Sequence, residues 1–324
     1  MQGFEPRWKD ETDYILGVTQ EIWENRGISE LKKYYSDQIV VRSPPSIIVG
    51  NHNVIGATMA TLAELPDRQL LGEDVIFCDA PGGGFLSSHR LVSTATHTHP
   101  GVYGAPTGKK IRYRILADCH AANNQIDDEW LVRDQGAIAR QLGMTPRDLA
   151  EKQIADEGGP VTCIKPFVPT NDIAGPYDSS GNNNEWGARL AEILTRLAHA
   201  DFSVIKAEYD RAATLYYPGG SETQGYVGAD EFWMGLHAAF PNAVFSVHHI
   251  IGRDDPMLPP RSAVRWSMDG LHEGWGAFGK PTGAAVHIMG ITHAEFGPRG
   301  LRREFTLIDE TAIWKQILLA KNNG

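Results

Sequence analysis

Long apolar runs are absent from this sequence. No stretch of its 324 residues comes near the roughly 20 consecutive apolar residues that a helical membrane span requires. Cysteine is scarce as well: Cys78, Cys119 and Cys163 are the full set, and none falls in a CxxC spacing. An odd, scattered set of this kind argues against both a disulfide framework and a zinc site. Positive charge is in deficit, with 30 Lys and Arg against 40 Asp and Glu and a net charge of −10. That argues against nucleic acid or an anionic membrane as a partner, since both call for a basic face. Long runs of one charge are missing too. The glycines of Pro81-Gly82-Gly83-Gly84 precede no helical pattern, so no phosphate-binding loop is expected. Residues Met1 to Arg7 lack the pattern of a signal peptide, and we expect a cytoplasmic protein.

What the chain does have is a duplication. The stretch from Arg90 to Leu142 repeats from Arg265 to Ile317 at a shift of 175 positions without a gap. Arg90 falls on Arg265, His97 on His272, Gly101 on Gly276 and Gly104 on Gly279. Pro106-Thr107-Gly108 falls on Pro281-Thr282-Gly283, Glu129 on Glu304, Asp134 on Asp309 and Gln141 on Gln316. With short gaps the match reaches back to Gly56-Ala57 against Gly228-Ala229. A period this long marks two domains that each bury a core, not a solenoid. The ordinary 42% hydrophobic and 22% charged content fits a soluble two-domain chain.

Each copy reads as helices followed by strands. Tyr14, Ile15, Val18 and Ile22 share a helical stripe over residues 11–25, and shorter helices follow at 29–35 and 53–65. Short strands are expected at 39–41 and 47–49, then long antiparallel ones at 69–78, 87–98, 110–121 and 126–134. Residues 144–154 read as a helix capped by Thr145, and 156–184 as a Gly, Pro, Ser and Asn-rich linker. The second copy gives helices at 185–198, 202–209 and 230–240, strands at 243–252, 263–271, 284–296 and 301–309, and a last helix at 311–321. We therefore expect an α+β fold of two tandem domains, 10–143 and 185–324, joined by a helix and linker at 144–184. In each, N-terminal helices should pack on one face of a curved antiparallel sheet.

Several residues could carry chemistry. On the last strand of copy one, Ile126, Asp128, Trp130, Val132 and Asp134 share one face by parity, which we expect to point towards the helices. Asp134 and Asp309 end that face in the two copies. A carboxylate beside an apolar wall has a raised pKa and suits acid–base work; equally, either Asp caps the helix that follows. The preceding strand offers Asp118 and His120, matched by His293 and Glu295. These could pair with the Asp across the hairpin, or form a polar face towards solvent or the other domain. Arg90, Arg265, His97 and His272 recur, and an arginine on an apolar strand calls for a carboxylate partner. It could bind a substrate oxygen or lock the core. His97-Thr98-His99 looks like a metal motif, but the second copy reads His272-Glu273-Gly274, and no metal is expected.

These same residues carry a resemblance. Arg90…His97-x3-Gly101-x2-Gly104-x-Pro106-Thr107-Gly108, Ile126-x2-Glu129-Trp130-x3-Asp134 and Gln141-Leu142-Gly143, with their second-copy counterparts, resemble the SnoaL-like polyketide cyclase, or ester cyclase, family. The resemblance covers nearly all of both domains. It implies a cone-shaped α+β barrel of the nuclear-transport-factor type with a pocket between helices and sheet. It also implies a cofactor-free intramolecular aldol closure, with a pocket Asp and a nearby His. Asp134 matches the family's acid–base Asp and His120 is its partner by spacing; Asp309 and His293 stand in the second copy. Arg90, His97, Trp130, Arg265, His272 and Phe305 would line the pockets.

The expected function is thus acid–base chemistry without a cofactor on a small apolar or aromatic carbonyl or ester compound, of cyclase, isomerase or lyase type. Asp134 would take a proton alpha to the carbonyl and Arg90 or His97 would steady the enolate oxygen. An epoxide or ester hydrolase of the same fold, and a non-catalytic binding module or scaffold, are the alternatives. No nucleic acid or membrane partner is expected. The two domains would pair within the chain, with a homodimer as a further arrangement.

Overall fold

The computed structural model describes residues 1–321. Two sheets of the same plan dominate it. In the first domain α1 (Glu11–Thr19) continues into a π-helical turn, and α2 (Leu31–Tyr34) leads into β1 (Tyr35–Ser43) and β2 (Ser46–Val49). Then come α3 (Asn51–Glu64), β3 (Gln69–Asp79), β4 (Phe85–Thr96), β5 (Lys110–Ala122), β6 (Gln125–Arg133), α4 (Gln135–Leu142) and α5 (Pro146–Asp156). The second domain comprises α6 (Glu185–Ala198), α7 (Ser203–Glu208), β7 (Tyr209–Tyr217), β8 (Ser221–Gln224) and α8 (Val227–Ala239). It continues with β9 (Val244–Arg253), β10 (Arg261–Leu271), β11 (Ala285–Gly297), β12 (Gly300–Ile308) and α9 (Glu310–Lys321). Among the described residues no helix is long and apolar enough to cross a membrane.

The sheet orders are β2-β1-β6-β5-β4-β3 and β8-β7-β12-β11-β10-β9. The α+β plan is as expected, but the sheets are mixed: β1 runs parallel to β6, and β7 to β12. The sequence reading missed this because the chain reaches β6 from β1 only after five intervening elements. It also missed β7, whose middle (Ala212, Ala213) has little strand propensity of its own and is held by pairing with β12. Local signals fix the rest. Asp10 caps α1, and Thr145 with Asp148 forms a capping box on α5. Asn123 and Asn124, both with positive φ, turn the β5–β6 hairpin.

The two cores differ. In the second domain one cluster fills the space between helices and sheet, with Trp233, Trp266, Phe240 and Phe296 all at most 2% exposed. In the first domain the apolar residues split into two clusters. One gathers α1, α2 and the β5–β6 hairpin, and the other gathers α4, α5 and the far halves of β4 and β5.

A further cluster lies between the domains, where Leu86, Leu116, Trp130 and Val132 meet Met289, Ile291 and Leu307 sheet on sheet. Phe167 and Tyr177, on the connecting segment, close it off. The cations there obey a pseudo-twofold. The Arg90 guanidinium lies 3.7 Å over Phe305, and that of Arg265 lies 3.7 Å over Trp130.

Candidate functional site

The gap between the two first-domain clusters is a cavity of about 270 Å³. Its walls come from α1, α3 and the concave face of the sheet, and Ile15, Val18, Trp23, Leu91, Ile115 and Leu131 make them largely apolar. Hydroxyls of Tyr35, Thr58 and Thr61 and the Gln135 amide reach it, together with Arg68, His89, Glu129, Arg133 and, from the second domain, Asp309.

A bulge in β6 decides which carboxylates face inward. Ala121 pairs with Ile126 and His120 with Asp128, leaving Asp127 unpaired. Beyond that point Glu129, Leu131 and Arg133 face the cavity, while Asp128, Trp130 and Val132 face the other domain. The parity expectation for this strand is therefore corrected. Trp130 and Val132 are apolar because a second sheet covers them, and a sheet-covered face reads in sequence like a helix-covered one.

Glu129 is the carboxyl best placed for chemistry. It is 7% exposed, and burial pushes it up to about 7 against the hydrogen bond from the Tyr35 hydroxyl. Its counterpart Glu304 sits in the packed core of the second domain. There it accepts from Tyr209 at 2.6 Å, Tyr217 at 3.1 Å and Thr306 at 2.6 Å. Of these partners the first domain keeps the equivalent of Tyr209, which is Tyr35. Ser43 stands for Tyr217 and Leu131 for Thr306, so Glu129 faces the cavity without two of the three bonds.

On β4, His89 is 3% exposed and its Nε2 has no partner. Burial, reinforced by Arg90, brings it down to about 3, so the ring is neutral. At the next part of the wall the Arg68 Nε donates to the Tyr113 hydroxyl at 3.0 Å and to Ser93 at 3.4 Å. Burial raises the Tyr113 hydroxyl, yet Arg68 and Arg133 together hold it below its ordinary range.

The residues singled out from sequence lie elsewhere, with one exception. Asp134 caps α4 and clamps a turn of the second domain. It accepts from Ala137 N at 2.9 Å, Gly219 N at 2.8 Å and Gly220 N at 3.0 Å. Burial raises it to about 6, but it lines a cleft between the domains, beside Arg112, Arg114 and Arg140, and not the first-domain cavity. Asp309 caps α9 through Thr311 N and Ala312 N and is the exception: it reaches the end of the first-domain cavity, and burial pushes it up to about 7.

His120 meets Asp127 at 2.6 Å and stacks near Tyr177 on the interdomain face. No hydrogen bond joins it to Asp134 among the described residues. His293 meets Ser88 at 2.7 Å; Ser88 also donates to Asp118, and Asp118 holds Arg265 at 3.0 Å. This Asp–Ser–His chain is at most 2% exposed at every member and lies between the sheets. Arg90 bonds Glu73 and Glu295 there, and with Trp130, Arg265 and Phe305 it forms interface, not pocket lining. His97 meets Thr107 at 3.2 Å and lies 3.3 Å from Glu64, and Glu64 accepts from Val102 N and Tyr103 N. His272 repeats the bond to Thr282 at 3.1 Å, with Ala239 in the place of Glu64.

Sequence reasoning thus passed over Arg68, His89, Tyr113, Glu129 and Arg133. The repeat held the signal. Across the 175-residue shift Arg68 meets Ala243, His89 meets Val264, Ser93 meets Met268, Tyr113 meets Ile288 and Arg133 meets Ile308. Every one is polar in the first copy and apolar in the second. Volume changes in the same sense. Leu91 becomes Trp266 and, at the same shift, the cavity-lining Thr58 becomes Trp233.

Comparison with known proteins agrees with the two-domain plan. A family model described as SnoaL-like polyketide cyclase matches residues 14–142, and one described as SnoaL-like domain matches residues 190–302. Similar solved structures include IdmH from Streptomyces antibioticus, at 19% identity and a TM-score of 0.36, covering 41% of this chain and 98% of that one. A SnoaL-like polyketide cyclase from Agrobacterium tumefaciens gives 20% identity and a TM-score of 0.32, covering 42% and 99%. TsrD from Streptomyces laurentii gives 14% and 0.35, covering 41% and 97%. No curated protein matches the sequence.

Proposed function

The chain belongs to the SnoaL-like family in both of its halves, and from that premise we propose that it is an acid–base enzyme whose first domain closes or isomerises a small apolar carbonyl compound. The observation that carries this reading is one carboxyl, Glu129, poised near neutrality on an apolar cavity that the second copy has filled.

In this reading Glu129 takes a proton alpha to the carbonyl. A carboxyl near 7 is present in its basic form at neutral pH and is strong enough as a base to help. The developing enolate oxygen accepts a hydrogen bond from His89, whose neutral ring donates as the Nε2–H tautomer. Such a donor typically contributes about 3 kcal/mol to the barrier. The enolate carbon then attacks a second carbonyl of the same molecule, and the proton on Glu129 passes to the new alkoxide; return of the proton to a different carbon gives isomerisation instead. Asp134 has no part in these steps, because its oxygens are committed to backbone N–H groups outside the cavity.

The test is a panel of small β-keto esters in deuterated and in heavy-oxygen water. We expect deuterium at the alpha carbon and no solvent oxygen in the product. Glu129→Gln should slow the exchange by about 10²- to 10⁴-fold, the range for loss of a positioned base. Solvent oxygen in the product would replace this reading with a hydrolase, and full exchange in Glu129→Gln would overturn it.

A further inference from the structure

Most buried or half-buried arginines of this protein meet a carboxylate. Arg42 has Asp128 and Asp172, Arg90 has Glu73 and Glu295, Arg261 has Asp74 and Asp255, and Arg265 has Asp118. Arg68 and Arg133 break the pattern. Among the described residues neither forms an ion pair, and both line the first-domain cavity. Arg68 is only 5% exposed and bonds two hydroxyls, those of Tyr113 and Ser93. Arg133 is likewise held by a tyrosine hydroxyl, that of Tyr103, and its Nε is buried without a partner. A buried guanidinium without a counter-ion is costly, and one that the fold does not need would be lost. The fold does not need these two: in the second domain the corresponding positions are Ala243 and Ile308, and the hydroxyl partners become Ile288 and Met268.

From this pair of cations without an ion-pair partner on a largely apolar cavity, we infer that the natural ligand is a carboxylate: an apolar acid whose carboxylate docks on Arg68 and Arg133 while its body lies along Leu91, Ile115 and Leu131. The planar fork of arginine matches a carboxylate in geometry, and the pairing is strongest where water is excluded. The two acids of the cavity wall, Glu129 and Asp309, do not fill that role. Neither forms an ion pair with Arg68 or Arg133 among the described residues: the Asp309 charge acts on Arg133 only from beyond ion-pair distance, and its oxygens are taken by Thr311 N and Ala312 N. The inference deepens the acid–base reading, since it rests on the same cavity, but it concerns charge recognition and not proton transfer.

Cinnamate and its neutral isostere cinnamamide test it by calorimetric titration of the intact protein. Their bodies are alike, so the ratio of affinities reads the anion site alone. We expect cinnamate to bind at least about tenfold more tightly, the worth of one charge-assisted hydrogen bond. Arg68→Met and Arg133→Met should each bring the ratio towards one while cinnamamide binding persists, with thermal melts confirming that both variants fold. Equal affinities in the wild type, binding of neither compound, or a preference that survives in both folded variants would overturn the inference. Turnover plays no part in this readout. A Glu129→Gln protein that still reacts would defeat the acid–base reading and leave the charge preference standing.

Discussion

Glu129 and Glu304 show how one residue position carries two duties. Both are buried glutamates bonded by a strand tyrosine, but only Glu129 borders open space. Its raised pKa has a cost that titration can read. The folded state holds the proton up to about 7, whereas the unfolded chain releases it near 4.5. Between those values the folded state binds more protons, so this group's contribution to stability falls as pH rises. The full penalty, reached above the folded value, is about 3 kcal/mol at 1.36 kcal/mol per unit. Glu129→Gln should therefore gain on the wild type as pH is raised from about 5 to about 8, by up to about 3 kcal/mol in urea unfolding. A difference between the two proteins that is flat with pH would mean that Glu129 titrates as an ordinary glutamate. As a base, Glu129 should also give a rate that rises through the same window.

Among elements, the β4–β5 pair and its counterpart β10–β11 decide whether a domain is open. In the second domain Trp266 on β10 lies opposite Gly290 on β11, and a Cβ on that glycine would meet the indole at 2.3 Å. In the first domain the same pair is Leu91 and Ile115, both lining the cavity. Only glycine leaves room for the tryptophan, so the two changes belong together. Moving the pair, as Leu91→Trp with Ile115→Gly, should fill the first cavity and abolish cinnamate binding while the protein melts as a folded chain. Trp266→Ala in the second domain should cost about 3–5 kcal/mol, as loss of a fully buried aromatic does.

This scale also shows what the sequence could carry. Periodicity was enough for the helices and for the eight long strands, because each buries one face locally. The parallel β1–β6 pairing and strand β7 depend on partners far along the chain. The bulge at Asp127 is invisible in the sequence, yet it sends Glu129 to the cavity and Trp130 to the interface. Parity alone therefore chose the wrong face of β6. Asp134 was legible as a helix cap; that its other bonds go to Gly219 and Gly220 was not.

At the scale of the whole molecule, the duplication supplies a sheet-on-sheet partner within one chain. Its polar centre is a linked chain: Asp118 holds Arg265 and Ser88, and Ser88 holds His293. Arg265→Met would strand Asp118 as a buried charge and should destabilise the protein by about 3–5 kcal/mol. Serine, histidine and aspartate together invite a nucleophilic reading, but no path to solvent or to the cavity reaches residues this buried. The filled second domain then acts as wall and support: it packs the convex side of the first sheet, and its Asp309 closes one end of the first cavity.

The account stands on the first-domain cavity, with Glu129 as the base and Asp134 as an interdomain clamp. The most direct test measures alpha-proton exchange of one β-keto ester in the wild type, Glu129→Gln and Asp134→Asn side by side, each checked for folding by thermal melt. The account predicts that Glu129→Gln loses about 10²- to 10⁴-fold and that folded Asp134→Asn keeps its exchange rate. Exchange that survives in Glu129→Gln and vanishes in folded Asp134→Asn would contradict it and move the chemistry to the cleft between the domains.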